Sequence, residues 1–128
     1  VATSFDYRPY GTELALCQRY FEKSYDQGTV PGTVTGNGVA WNYTSTVYAG
    51  FSFNDIAVTA QFKVDKRAVP TMTWYSPDTG ASGVVGTASG SDKTANNQYV
   101  GQHSAAVYAT VSASNAQVRA HYTASAEL

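Results

Sequence analysis

Cys17, Arg19, Tyr20, Glu22 and Lys23 stand within seven residues of one another, in a chain of which only 13% is charged. A cysteine becomes a nucleophile when a histidine and an orienting group stand beside it in space, and the chain holds two histidines, His103 and His121. Neither supports that chemistry. His121 alternates with apolar neighbours on what reads as the wet, polar face of a strand, which predicts an exposed and inert imidazole. Cys17 lies on the apolar side of a short helical pattern and is predicted to be a buried structural thiol. Hydrolysis of a glycoside calls for two carboxylates about 5–10 Å apart. Here Asp55, Asp65, Asp78 and Asp92 all stand in or beside turn sequences, where aspartate serves the backbone. The patterns HExxH and GxSxG and a glycine-rich phosphate loop are missing. The sequence predicts no enzyme, no metal site and no cofactor.

Binding chemistry fits the composition better. A sugar site sets aromatic faces against the apolar CH groups of a pyranose and places a few polar groups against its hydroxyls. Two stretches offer that mixture, WNYT at 41–44 and TWYSPDTG at 73–80. Trp41, Tyr43, Trp74, Tyr75 and Asp78 are therefore the candidate carbohydrate contacts. On a strand Trp41 and Tyr43 share one face and make a continuous floor, whereas Trp74 and Tyr75 point to opposite faces. The competing place for each indole is the core.

Composition narrows the class further. The chain has 128 residues with ten Tyr, five Phe, two Trp and a net charge of −1. So many aromatics favour strands, and so little charge suits a subunit covered by neighbours or a binder of neutral ligands. No basic run exceeds Lys66-Arg67, which argues against nucleic acid as a partner. One cysteine rules out an intrachain disulfide. No apolar stretch approaches the ~20 residues of a membrane span, so no membrane insertion is expected. The chain opens at Val1 without an initiator methionine and reads as a processed or excised piece of a longer protein.

Those candidates need elements to hold them. Residues 1–10 read as an extended arm ending an upstream module, since Pro9 holds Arg8 extended. Leu14, Cys17 and Phe21 recur at helical spacing and predict a short helix near 12–19, passing into a strand around 19–25. Period-2 alternation over 45–65 and 117–124, with apolar runs at 69–76 and 105–113, predicts further strands; 76–83, 87–97 and 112–115 read as turns. About eight closely spaced strands predict an all-β fold, an antiparallel β-sandwich of jelly-roll type with one short N-terminal helix, as a single domain over 11–128.

Three segments also resemble a known family. VATSFDYRPYGTELALCQRYFEKS at 1–24 is similar to a segment that recurs in tailed-bacteriophage tail fibre and tailspike proteins and related prophage proteins. There a β-sandwich module ends in an ATxFExRPxGxELALCQRYY-like string and a C-terminal β domain begins. FKVDKRAVPTMTWYS at 62–76 and the ending VRAHYTASAEL at 118–128 are similar to later strands of the same family. Lys66 stands where the family often has Met, and Tyr122 and Ser125 stand where it has Trp and Asp. The resemblance implies the C-terminal receptor-binding domain of a phage fibre or spike. Such a domain is a homotrimer in the virion, assembled in the host cytoplasm and joined to upstream domains of its chain, and it recognises bacterial surface polysaccharide through aromatics on variable loops. Two alternatives stay open: a structural domain that drives or caps trimerisation without a ligand, and part of a polysaccharide depolymerase whose activity lies upstream.

Overall fold

The alternation of apolar and polar residues over 117–124 does become a strand, and the rest of the fold is arranged on it. The structure, a computed structural model, describes residues 9–44, 53–112 and 116–127. In chain order the elements are α1 (Tyr10–Gln18), β1 (Phe21–Lys23), β2 (Ala40–Thr44), β3 (Phe53–Gln61), β4 (Thr71–Tyr75), β5 (Val84–Thr87), β6 (Asp92–Thr94), β7 (Asn96–Gln98), β8 (Ser104–Ser112) and β9 (Ala116–Ser125). Both sheets are antiparallel. The all-β sandwich with one short helix is what the alternation implied.

The last strand, β9, is the spine of the larger sheet. Along one edge it pairs first with β2, from Thr44↔Ala116 to Ala40↔Ala120, and then with β1, from Lys23↔Thr123 to Phe21↔Ser125. Along its other edge lie β5, at Thr87↔Val118 and Gly86↔Arg119, and β4, from Tyr75↔His121 to Thr71↔Ser125. Each edge is thus shared by two strands in tandem, and the chain between them makes an excursion, over 24–39 on one side and 76–83 on the other. β6 extends the sheet beyond β5, and β3, β8 and β7 form the second sheet.

The core lies between the sheets. Val118, Ala120, Tyr122 and Ala124 of β9 join Met72, Trp74 and Val85 against Ile56, Val58 and Ala60 of β3 and Ala105, Val107, Ala109 and Val111 of β8. Asn42 closes one open edge. Its amide donates to the Ala57 carbonyl of β3 at 2.8 Å, and its side-chain oxygen accepts from Tyr43 N–H at 2.8 Å. This occupies backbone groups that would otherwise offer a pairing edge.

Several expectations need correction. At His121 and Thr123 the outer face of β9 is not wet: His121 is 0% exposed and Thr123 is buried, and the excursion over 24–39 covers the imidazole with Ser24, Tyr25 and Thr35. Cys17 is exposed, not buried, since no residue of α1 is buried. Cys17→Ser should therefore shift stability by less than about 0.5 kcal/mol, which thermal melts at low concentration check. The helix starts earlier than the spacing predicts, at Tyr10, with the Pro9 carbonyl accepting from Thr12 and Glu13 N–H. Most of the extended arm, residues 1–8, and the alternation over 45–52 lie outside the described residues, as does the turn at 113–115. The strand β6 and the start of β7 fall inside the segment 87–97 expected to be a turn.

Residues of the three segments 1–24, 62–76 and 118–128 meet at one buried pair. Glu22 and Lys66 have side chains 2% and 0% exposed, with Nζ donating to Oε2 at 2.7 Å. Lys66 also donates to the Gln18 carbonyl at 2.6 Å, while Glu22 accepts from the Lys63 N–H at 3.1 Å. Tyr122 hydrogen-bonds to Glu22 as well, and burial together with that carboxylate pushes its hydroxyl up to about 12. Each polar group of the cluster has a partner, which is what makes a buried ion pair tolerable.

Candidate functional site

Strand geometry decides which candidates reach solvent. In β2 the even-numbered Ala40 and Asn42 turn toward the second sheet, so Trp41 and Tyr43 turn outward, 61% and 52% exposed. They do share a face, as their spacing predicts. In β4 the same rule sends Trp74 inward and Tyr75 outward. Trp74 is only 2% exposed, its ring 5.7 Å from that of Tyr122 and its indole N–H on Asn97 Oδ1. As a ligand contact Trp74 is corrected: both faces of its ring belong to the core. Tyr75 is half-buried, edge-on to Tyr25 at 6.1 Å. The candidate aromatics stand on strands rather than on loops, a further correction; only Asp78 is loop-borne.

The register then brings in residues that the spacing could not reveal. Trp41 lies opposite Arg119, Arg119 opposite Gly86, and Gly86 opposite Asp92. Residues directly opposite on adjacent strands point to the same side, so the four form a row across the outer face of the larger sheet. Asp78 drops from its loop onto Gly86, where a Cβ would collide with its carboxylate and press on the Pro77 ring. Arg119 Nη2 donates to Asp78 Oδ1 at 2.8 Å and Oδ2 at 2.9 Å, and to the Thr87 carbonyl at 3.1 Å. The two side chains are 31% and 24% exposed. Of the five candidates, Trp41, Tyr43 and Asp78 are thus gathered around Arg119, Tyr75 stands farther along the same face, and Trp74 is withdrawn.

Between the aromatic pair and Tyr75 the face is sealed. His121 Nε2 lies 2.8 Å from the Thr35 carbonyl, so this nitrogen carries the hydrogen. Nδ1 accepts from the Ser24 hydroxyl at 2.8 Å, and Ser24 Oγ accepts in turn from Tyr122 N–H at 2.9 Å. The imidazole stacks on Tyr25, centroids 3.9 Å apart. Burial pulls its basicity below the ordinary value of 6.5, against the smaller opposing effect of the Thr35 carbonyl. The sign follows: below pH 6.5 the unfolded chain binds a proton that the folded imidazole resists, so stability falls with acidification until the lowered folded value is passed. Urea midpoints measured from pH 7 to pH 4 should show this fall, and the component should vanish in His121→Gln. His103 is unlike it, exposed and 2.6 Å from Asp65.

Two clefts, of about 450 and 420 Å³, lie away from the candidates, the first beside α1 with Leu14, Cys17 and Phe21, the second between β2 and the end of β3. Neither is lined by Trp41, Tyr43 or Asp78. Trp41 and Tyr43 instead expose their rings to solvent, where one side of a flat ring can stack. Among the described residues no group of three or more His, Cys, Asp or Glu gathers as metal ligands. No family model, curated protein or solved structure matches the chain.

Proposed function

We propose that this chain is the C-terminal receptor-binding domain of a phage tail fibre or tailspike, trimeric in the virion, and that it recognises host surface carbohydrate on the outer face of β2. The observation that carries the reading is the pair Trp41 and Tyr43, large, exposed and on one strand face, with the Asp78–Arg119 pair one strand away. Large aromatics left in water without a covering partner mark a contact surface more often than a structural one. The resemblance of residues 1–24, 62–76 and 118–128 to fibre and spike segments supports the phage assignment. A glycan array probed with the purified domain tests it. Binding to at least one bacterial saccharide, lost in Trp41→Ala/Tyr43→Ala, is the expected result.

A second reading, a trimerisation or capping domain, draws support from the other end of the molecule. There Tyr10, Tyr20 and Phe21 are 70%, 43% and 43% exposed around a helix with no buried residue. Light scattering near three chain masses, with no saccharide bound on the array, would favour it.

A further inference from the structure

The excursion over 24–39 holds His121 by two groups, the Ser24 hydroxyl donating to Nδ1 and the Thr35 carbonyl accepting from Nε2, each at 2.8 Å. Its return leg turns over 36–39, where the Val39 N–H reaches the Gly36 carbonyl only at 3.4 Å, beyond the usual range of about 2.7–3.2 Å. Within that turn Gly38 has a φ of 78°, and a Cβ on it would collide with the Ser24 carbonyl. Glycine is needed there on both counts. Asn37 and Gly38 are exposed, and among the described residues no group accepts from the Gly38 N–H. The other asparagines, Asn42, Asn54, Asn96, Asn97 and Asn115, are followed by Tyr, Asp, Asn, Gln and Ala. Each of those followers has a side chain that crowds the approach of its own nitrogen to the preceding amide carbon. Gly38 has none.

We propose that Asn37 is a site of spontaneous covalent modification, with water as the only reagent, and that its conversion uncovers His121. The Gly38 nitrogen attacks Asn37 Cγ; the new N–Cγ bond closes a five-membered imide, and the Cγ–Nδ2 bond breaks. Nδ2 leaves as ammonia, taking up the proton that the Gly38 nitrogen gives up. Water then opens the ring. Opening at Cγ yields aspartate, and opening at the Asn37 main-chain carbonyl yields isoaspartate, whose main chain runs on through Cβ and Cγ. Either product carries one new carboxylate, and nothing is oxidised or reduced. The isoaspartate form is longer by one main-chain carbon, a bond of about 1.5 Å. That insertion falls where Gly38 already abuts the Ser24 carbonyl and the Asn37 N–H is held by Thr35 Oγ1 at 3.2 Å. A shift of that size carries the two 2.8 Å bonds of His121 out of range, so the excursion lifts from the imidazole.

The test ages the folded full chain in warm, mildly alkaline buffer and follows every asparagine by tandem mass spectrometry of its proteolytic peptides. Asn37 is expected to convert at least tenfold faster than any other asparagine, with isoaspartate among the products as read by an isoaspartate methyltransferase. The converted protein, more acidic by one charge, is separated by anion exchange and treated with diethyl pyrocarbonate, which acylates accessible imidazoles. Fresh protein should be modified at His103 alone, and the isoaspartate fraction at His103 and His121. Asn37→Gln, folded by circular dichroism, should stay modified at His103 alone after the same ageing. An Asn37 that converts no faster than the other asparagines overturns the site. An isoaspartate fraction whose His121 still resists the reagent overturns the release, as does equal exposure of His121 in aged Asn37→Gln.

Discussion

Replacing Lys66 by Met should cost about 3–5 kcal/mol of stability, because it leaves the Glu22 carboxylate buried without its cation. The substitution is nearly isosteric, so lost packing contributes little. The remaining partners of Glu22, the Lys63 N–H and Tyr122, are neutral and cannot compensate the charge. Glu22→Gln in the same chain should restore most of the loss, since an uncharged amide at that position is far cheaper to bury. A double-mutant cycle read by chemical denaturation checks both statements. Equal losses in the single and double variants would mean that the pair stabilises through shape alone. Gln18 and Glu22, Lys63 and Lys66, and Tyr122, from three separated segments of the chain, converge on this cluster.

The second large effect separates the two tryptophans. Trp74→Ala should cost about 3–5 kcal/mol, the usual toll for emptying a large buried aromatic site, together with the bond to Asn97 that ties β4 to β7. Saccharide binding by the folded fraction should be unchanged. Trp41→Ala should do the reverse, shifting stability by about 0.5 kcal/mol or less while removing stacking area from the face of β2. Thermal melts and saccharide titrations on the same two proteins settle the matter. Loss of binding in folded Trp74→Ala would return that residue to the site.

How far the sequence could foretell this arrangement depended on whether the signal was local. Alternation exposed β3 and β9, an apolar run exposed β8, and the spacing of Trp41 and Tyr43 placed them on one face. The same rule of two could divide Trp74 from Tyr75 but could not say which of them looked inward. That is fixed by β9, where Trp74 pairs with Tyr122 on the core side. DKT and NNQ gave no strand signal, because Asp and Asn favour turns and Lys is sparse in strands; their pairing is imposed by β5 and β8. His121 was placed correctly on the outer face of its strand and wrongly in water. Polar residues reveal which side of a sheet they occupy, but not that Thr35 and Ser24 return from elsewhere to cover it. Arg119 was the residue of the candidate site most deeply hidden. Asp78 lies 41 positions away, and only the absence of a side chain at Gly86 lets the two meet.

The most direct test of the central claim uses the two indoles themselves. Trp41 is 61% exposed and Trp74 is 2% exposed, so acrylamide should quench one and spare the other. Addition of a saccharide that the array shows to be bound should protect the quenchable fluorescence, bringing its quenching constant down toward that of the Trp41→Phe variant. Saturating saccharide that leaves the quenching unchanged would contradict the account, because the ligand would then be held somewhere other than the face of β2.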